Sequence, residues 1–543
     1  MAKKKDMSIV DKAEKPKVYI DTIVFNDNTE LKLNSNSIIV FTGANNSGKS
    51  QVLKDIEMCA NKSGDYEMKI VKGCNFIFQG SILEEEFLRD NFIINQEGLY
   101  QMIEFGDSFK KNQLINFWND RSMFCYIYRL FVRRISTIDR ITASKAFSRI
   151  EYNHNSILKL YKNERKAQLV SDYFKKAFDC DLVINRNDLT SIPLHIGKAP
   201  NKKQFTIDRQ EDYYNLIDKL PLLDAQGDGM RSFATLLLNA FTSNYSITLI
   251  DEPEAFLHPP QARILGKMIS QINGDNRQII ISTHSEDFLL GLIDSGNVNI
   301  SVIRINRDNK TNHMSVLEND KLQKLWGNPI LRYSNALSGV FHKLVVVCES
   351  DYDCLFYQAI IDAIYEKKNE ISPDILFTHC GGKGRIKDIV SALKAVDVPV
   401  VAISDFDVIN SSQIFKPMIE SFGIDWDILL SNDVKTIYDS MNSKNSNGYD
   451  AWCQIKKIGK SGFTGKEPLA YERVEAICKT NGLFIVPVGE MECFDKTINK
   501  EKKDWVYSVL EKYDLSNEPK LEEARKFVME IVEFGMRGIK RKR

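Results

Sequence analysis

Ser37-Ile-Ile-Val-Phe-Thr-Gly43-Ala-Asn-Asn-Ser-Gly48-Lys49-Ser50 decides the first half of the fold. An apolar run of strand length opens into a loop bounded by glycines, and Gln51 to Cys59 continues as a helix. This strand–loop–helix order makes a complete P-loop. Backbone N–H groups of Gly43, Asn45, Asn46, Ser47 and Gly48 would surround phosphate oxygens, Lys49 would reach the β- and γ-phosphates of ATP, and Ser50 would bind Mg²⁺. Val18 to Phe25 and Leu31 to Leu33 read as short strands before it.

A partner motif lies two hundred residues on, in Ser246-Ile-Thr-Leu-Ile-Asp251-Glu252-Pro253. Asp251 would hold the magnesium shell and Glu252 would polarise the attacking water, against the alternative of a capped loop after a buried strand. The continuation Glu254-Ala-Phe-Leu-His258-Pro259 resembles the D-loop of ABC-type ATPases, and Thr283-His284-Ser285, after the strand Gln278 to Ser282, matches their switch histidine. Ala225-Gln-Gly227-Asp-Gly229-Met-Arg231-Ser232 opens an apolar helical stretch and resembles a divergent ABC signature, departing from Leu-Ser-Gly-Gly-Gln. Gly227 and Gly229 would let helix-start amides face a phosphate of ATP held by an opposite subunit. A plain helix-start turn is the other reading.

Two further apolar runs end in acids: Lys343-Leu-Val-Val-Val-Cys-Glu349-Ser-Asp351-Tyr-Asp353 and Val398-Pro-Val-Val-Ala-Ile-Ser-Asp405-Phe-Asp407. Sheets of α/β type place their sites at such strand ends. Carboxylates gathered there repel one another, and hard divalent cations, Mg²⁺ with Mn²⁺ as the alternative, relieve that repulsion. A bound pair would activate water and stabilise the leaving oxygen of a phosphodiester. Solvated loop acids are the plainer reading of any one of these residues. A helix is expected over Cys354 to Glu366, a strand over Ile375 to Thr378, and a glycine turn at Gly381-Gly-Lys-Gly384 before a helix to Val396.

The 543 residues suffice for two to four domains, and 43% hydrophobic content is ordinary for a soluble protein. Lysine plus arginine equals aspartate plus glutamate at 73 each, so any nucleic-acid surface must be a local patch. Ten scattered cysteines, without C-x-x-C or zinc-like spacing, suit a reducing compartment, read as the cytoplasm. No apolar stretch approaches the roughly 20 residues that cross a bilayer, and no signal-peptide pattern follows Met1, so no membrane partner is expected. Asn112 to Lys176 carries aromatic and aliphatic residues at helical spacing, with Arg129, Arg133, Arg134 and Lys175 among them.

The second acidic set resembles the Toprim domain of primases, topoisomerases and certain nucleases; the glycine that follows the first acid there is Ser350 here. An ABC-type ATPase followed by Toprim is the architecture of the OLD-family (overcoming lysogenization defect) endonucleases, which include Gabija-type and retron-associated effectors. The resemblance runs from Val18 to about Asp495 by order of motifs. It implies an α/β fold: an ATPase domain at 1–60 and 205–335, a mainly helical insertion for assembly at 61–204, a Toprim domain at 336–500, and a C-terminal helical segment with a basic tail at 501–543. Heads that dimerise, higher oligomers and a two-metal nuclease acting on DNA in anti-phage defence are also implied. In that scheme Glu349, Asp353, Asp405 and Asp407 ligate the metals and Glu252 and His284 serve ATP hydrolysis. A retron association would add a reverse transcriptase and its DNA–RNA product as partners.

Ile485-Val-Pro-Val-Gly489-Glu490-Met-Glu492-Cys-Phe is similar to a late acidic motif of that family, which carries a metal role to Glu492 and, less directly, to Glu490. The family also places a lysine near the scissile phosphate, for which Lys460 and Lys466 are the candidates, a flexible basic loop being the alternative. Two other readings stay open: an ATP-driven nucleic-acid clamp whose acidic site is silent, and a Toprim nuclease acting on RNA. The basic end, Arg537 to Arg543, is read as a solvated tail ahead of a phosphate contact.

Overall fold

The computed structural model describes residues 14–62, 66–142, 156–187, 192–201, 209–242, 245–272, 277–297, 299–308, 311–317, 335–395, 397–445 and 450–541. They fall into two compact units, residues 1–307 with 311–319, and residues 320–543 with 308–310. Among the described residues no helix is long and apolar enough to cross a membrane.

In the first unit β1 (Lys17–Phe25), β2 (Glu30–Lys32), β3 (Ile38–Thr42) and β4 (Val71–Gln79) are followed by the short strands β5 (Phe92–Ile94), β6 (Tyr100–Met102) and β7 (Ser108–Phe109). Then come β8 (Val132–Ile135), β9 (Asp181–Ile184), β10 (Leu194–Gly197), β11 (Ile247–Asp251), β12 (Gln278–Ser282), β13 (Ile300–Asp308) and β14 (Thr311–Leu317). The core is a six-stranded sheet in the order β14-β13-β3-β12-β11-β8. Its β3, β8, β11, β12 and β13 pair in parallel. All five side chains of β3 and of β12 are buried, as the continuous apolar runs require of parallel strands covered on both faces.

A second, antiparallel sheet, β2-β1-β4, is tied to this core by a buried polar side chain. The fully buried Gln278 accepts from Ile20 N at 2.7 Å and donates to Ile20 O at 2.7 Å and to Asn34 O at 2.8 Å. A buried amide is tolerated only when paired in this way. The strand β4 is held in turn by the buried Asp55, whose Oδ2 accepts the N–H groups of Lys69, Ile70 and Val71.

The stretch expected to be a mainly helical insertion, 61–204, is of mixed structure. It contains helices such as Lys111–Asn119 and Glu164–Phe178, but also β4, β5 to β7, β9 and β10. It contains β8 as well, which completes the core sheet beside β11. β8 reads Val-Arg-Arg-Ile: its two apolar ends are buried, while Arg133 and Arg134 emerge at the sheet edge, where Arg134 Nε meets Glu57 Oε2 at 2.6 Å. The core sheet therefore draws on Val132–Ile135 in addition to strands from 1–60 and 205–335.

The second unit is built on four parallel strands, β15 (Leu344–Cys348), β16 (Ile375–His379), β17 (Val400–Ser404) and β18 (Leu483–Ile485), in the order β16-β15-β17-β18. Among the described residues five α-helices lie between β17 and β18: Ser412–Ser421, Trp426–Leu429, Ser431–Ser443, Ala451–Ile458 and Glu467–Asn481. The C-terminal segment is part of this unit's core instead of an appendage. Trp505, Val506 and Val509 of helix Lys502–Lys512 and Phe527, Val528 and Ile531 of helix Glu522–Arg541 share one apolar cluster with Val346, Phe356, Ile360 and Phe484. The last helix runs to Arg541 through the segment read as a solvated basic tail, and its side chains from 536 on lie outside the described residues.

Trp505 is fully buried, donates Nε1–H to Asp495 O at 3.1 Å and meets Phe356 edge-on at 5.1 Å between ring centroids. Replacing it with alanine should cost about 3–5 kcal/mol. The check is chemical denaturation; a loss below about 1 kcal/mol would refute the placing of the C-terminal helices in the core.

Candidate nucleotide site and metal centre

The P-loop follows β3 as the strand–loop–helix pattern requires, with helix Lys49–Asn61 leaving it. Asn46 and Gly48 adopt positive φ, 63° and 103°. A Cβ on Gly43 would stand 2.4 Å from Ile305 O and one on Gly48 2.3 Å from Ile70 Cδ1, so both glycines are required by contact as well as by backbone angle. Asn45 and Asn46 are exposed, Ser47 and Lys49 buried, and Ser50 half-buried. Lys49 donates Nζ–H to the loop carbonyls of Gly43 and Ala44 at 2.9 and 3.1 Å, and burial lowers its pKa against the opposing pull of Glu252, Glu254 and Asp251.

The acidic pair stands beside the neighbouring strand. Ser282 Oγ donates to Asp251 Oδ1, and Glu252, held at φ 46°, donates its N–H to Ser282 O at 2.9 Å. His284 Nδ1 lies 3.4 Å from Glu252 Oε1 and 3.4 Å from Glu254 Oε1. Glu254 was not singled out by sequence, yet it is the residue that fixes the histidine's backbone. It is buried, accepts from His284 N at 3.0 Å and Thr283 Oγ1 at 2.8 Å, and its pKa is raised by that burial. Gly227 and Gly229 fall at the start of helix Asp228–Thr242, and a Cβ on Gly229 would stand 2.6 Å from Phe256 O. Gly229 thus seats on the loop that follows Asp251 and Glu252.

A second residue that sequence did not mark is Arg140. Ile135 of β8 is in register with Ile250, so the chain leaves β8 level with Asp251. The Arg140 side chain is fully buried, donating Nη2–H to Thr137 Oγ1 at 3.1 Å while Nε and Nη1 have no hydrogen-bond partner. Burial lowers its pKa, and the charges of Glu254, Asp251 and Glu252 oppose that shift. Its backbone carbonyl accepts from Thr235 Oγ1, tying the β8 end to helix Asp228–Thr242.

In the second unit Glu349 and Asp405 leave the ends of adjacent strands and are bound to each other through one carboxylate. Glu349 Oε1 accepts from Ser404 Oγ at 2.8 Å and from Asp405 N at 3.0 Å. Asp353 occupies the third position of helix Asp351–Lys367, and its Oδ2 accepts from Ser350 N and Ser350 Oγ, both at 2.9 Å. Ser350, where the Toprim pattern has glycine, is extended (φ −133°) and caps this helix, a duty suited to serine. Asp407 follows in the turn Phe406–Asn410, which is pinned by Phe406 N donating to Gly489 O at 2.8 Å. Glu490 and Glu492 come from the loop after β18.

Three lysines from three elements stand among these acids. Lys502 Nζ is 3.5 Å from Asp405 Oδ2 and 3.9 Å from Asp353 Oδ1. Lys383 Nζ is 2.7 Å from Asp407 Oδ1, and Lys456 Nζ is 2.7 Å from Glu490 Oε1 and 3.9 Å from Asp407 Oδ2. Lys460 and Lys466, the lysines expected here, are both exposed, and no ion pair joins either to the acids among the described residues. Lys383 lies inside the glycine turn already visible in the sequence; Lys502 has no local signal, because it reaches the site only through the packing of its helix.

Burial raises the pKa of Glu349, Asp405 and Glu492, and in Asp405 the Glu349 charge adds to it. The same acids hold Lys502 above the usual lysine range despite its burial. Among the described residues no three acids, histidines or cysteines converge closely enough to ligate one ion in this side-chain arrangement. The donor chemistry nevertheless fits a hard divalent cation: all six groups offer carboxylate oxygens, and Asp353 Oδ1 and Glu492 Oε2 are buried without a hydrogen bond. Reorientation of these side chains is the motion that ligation requires.

The fold and these residues define a P-loop ATPase joined to a Toprim unit. Residues 130–291 match a family model described as "AAA domain, putative AbiEii toxin, Type IV TA system", and residues 340–407 match one described as "Overcoming lysogenization defect protein-like, TOPRIM domain". The OLD nuclease of Thermus scotoductus is 31% identical over 177 residues, covering 30% of each chain. The Old nuclease of Escherichia phage P2 is 22% identical over 305 residues, covering 50% of this chain and 48% of that one. This chain therefore spans about a third to a half of the length of the curated relatives it matches. Together these matches make the chain similar to OLD-family proteins in both its ATPase and its Toprim portions, and the two matched domains imply use of nucleotide and divalent metal. Solved structures similar to it include an SMC head bound to the C-winged helix domain of ScpA (13% identity, TM-score 0.33, 56% of this chain and 99% of that one). The SMC head domain from Thermotoga maritima is another (9%, 0.29, 56% and 99%). These scores add nothing to the strand order given above.

The raised carboxylates set a pH dependence. The native state retains protons that the unfolded chain releases at about pH 4, so stability falls as pH rises from there through the native values. In chelator, melting temperature should drop as pH rises above about 4, Asp405→Asn should flatten that drop, and a divalent cation should raise the melting temperature more at the higher pH. A wild-type profile flat in chelator would contradict the burial of these charges.

Proposed function

We propose that this protein is an ATP-regulated, Mg²⁺-dependent endonuclease that cleaves DNA, acting in defence against phage. The observation that carries the reading is the pairing of Glu349 with Asp405 at the ends of adjacent parallel strands, with Lys502 against the same carboxylates. The names of the two nuclease relatives agree with it.

In this reading Glu349, Asp353, Asp405, Asp407 and Glu492 hold the metal, with Glu490 beside them, and Mn²⁺ substitutes for Mg²⁺. The bound metal supplies an activated water and charge neutralisation at the phosphodiester. Lys502 is the catalytic lysine in place of Lys466: its ammonium offsets the charge that develops as water oxygen bonds to phosphorus and the sugar oxygen departs. The Ser404 hydroxyl and the Asp405 amide hold Glu349 in one orientation.

In the first unit Gly43 to Ser50 hold the ATP phosphates, Asp251 and Ser50 its Mg²⁺, and Glu252 accepts the proton of the attacking water. His284, 3.4 Å from Glu252, orients that carboxylate. Gly227 and Gly229 face the nucleotide of a second copy, so the working form is a homodimer, and residues 61–204 outside the core sheet serve its assembly. ATP occupancy shifts the balance between two head arrangements and so controls access to the metal centre. The matches carry nothing on a reverse transcriptase, and the proposal stands without one.

Supercoiled plasmid incubated with Mg²⁺ or Mn²⁺, with and without ATP, should be nicked or linearised by the parent protein, and Asp405→Ala should abolish this. Glu252→Gln should lower ATP hydrolysis by about 100-fold or more while nucleotide still binds. Parental cleavage by Asp405→Ala would refute the metal assignment, and cleavage of RNA but not DNA would move the substrate. DNA binding that persists without cleavage in any cation would favour an ATP-driven clamp. Hydrolysis by Glu252→Gln at the parental rate would remove Glu252 as the base.

A further inference from the structure

Resting on the nuclease reading, we propose that Lys383 and Lys456 form a clamp for DNA backbone phosphate on the Asp407 side of the acidic centre, with Lys456 delivered by the helices between β17 and β18. The three lysines divide the centre into two halves. Lys502 serves Asp405 and Asp353, whereas Lys383 and Lys456 bracket Asp407 and Glu490. Their side chains are 27% and 44% exposed, so both ammoniums are reachable from solvent. A lysine carries three N–H donors, and neither ion pair consumes all of them.

The backbone holds Lys456 where it is by contacts that do not involve its charge. Helix Ala451–Ile458 ends at Gly459 (φ 59°), where a Cβ would stand 2.0 Å from Pro487 O, and Gly489 (φ 115°) touches Lys456 O, where a Cβ would stand 2.2 Å away. Lys460 N donates to Pro487 O at 2.9 Å beside them. The helix end is therefore seated on the Glu490 loop by glycine-to-carbonyl approach, and the ion pair is not needed for its attachment. Lys383 is set with equal economy by the turn at Gly381 and Gly382, whose φ angles are 70° and 127° and whose Gly382 N–H donates to Glu349 O at 3.0 Å.

Charge counting explains why cations belong here. Six carboxylates, Glu349, Asp353, Asp405, Asp407, Glu490 and Glu492, face three lysines, leaving three negative charges when all are ionised. Two divalent cations would turn this into one positive charge, attractive to a phosphodiester. Without Lys383 and Lys456 the same loaded centre would stay negative by one and repel it. An exposed ion pair contributes little to stability, about 0–1 kcal/mol, so stability alone is a weak account of two lysines converging on one aspartate.

The experiment uses the full chain with a fluorescent DNA duplex in Ca²⁺, measuring anisotropy over a range of salt for the parent, Lys383→Gln, Lys456→Gln, the double variant and Lys456→Arg. Each glutamine variant should weaken binding roughly 3–10-fold and reduce the slope of log affinity against log salt by about one, and the arginine should restore both. Melting temperature and Mn²⁺ affinity are measured on the same proteins. Unchanged affinity and slope, or altered melting or Mn²⁺ affinity with an unchanged slope, would overturn the clamp, and cleavage by the parent lost in Asp405→Ala would leave the nuclease reading standing. A parent that neither binds nor cleaves DNA overturns both.

Discussion

Parallel strands deliver their ends to one edge of a sheet, and both units use that edge to gather charges that repel each other. Two unit charges at 4 Å and an effective dielectric of about 20 interact by roughly 4 kcal/mol. Glu349 and Asp405 bear such a repulsion in a buried setting, where desolvation adds to it. The chain tolerates the arrangement because each carboxylate is occupied: Glu349 by a hydroxyl and an amide of the next strand, Asp353 by its helix cap, Asp407 by lysines. The three-dimensional form of the second unit follows from satisfying these groups, since the glycine turn, the late acidic loop and the C-terminal helix all end beside them.

The opposing charges come from far along the chain, and one sits against local preference. Lys502 opens its helix, where the macrodipole disfavours a cation by about 0.3–1 kcal/mol. Its partners Asp405 and Asp353 reverse that preference, and the apolar face behind it, with Trp505 at its centre, holds the helix down. In the first unit Arg140 is the counterpart: a buried guanidinium among Asp251, Glu252 and Glu254, carried at the end of an edge strand.

What sequence reading recovered was local. β3, β11, β12, β15 and β17 are continuous apolar runs because both faces of their sheets are covered, and each ends in a glycine loop, an acid or, for β12, the Thr283-His284 pair that marks it. The P-loop follows β3, and Glu349 and Asp405 directly follow β15 and β17, with Asp353 and Asp407 one turn further on. β8 escaped because its partner β11 is more than a hundred residues away, and an edge position lets two arginines occupy a strand of four. The lysines that stand among the acids were missed for a similar reason: Lys460 and Lys466 sit in a glycine-rich loop that looks like a phosphate site, whereas charge at the centre depends on which helices pack there. The C-terminal helices looked separable, since their amphipathic pattern does not name the sheet that covers their apolar face.

The strand order of the first unit also bears on how a ribosome must deliver it. β3 lies between β12 and β13, so the strand that carries the P-loop, complete by residue 42, finds neither neighbour until residues 278 to 304 have been made. At typical synthesis rates of about 5–20 residues per second that interval is roughly 10–50 s. During it, a strand with every side chain destined for burial has both hydrogen-bonding edges open, while β1, β2 and β4 close early into their own sheet. The nascent protein thus passes through a long stage in which a strand destined for full burial is unsheltered, and its yield in the cell becomes a matter of translation speed and chaperone supply as much as of final stability.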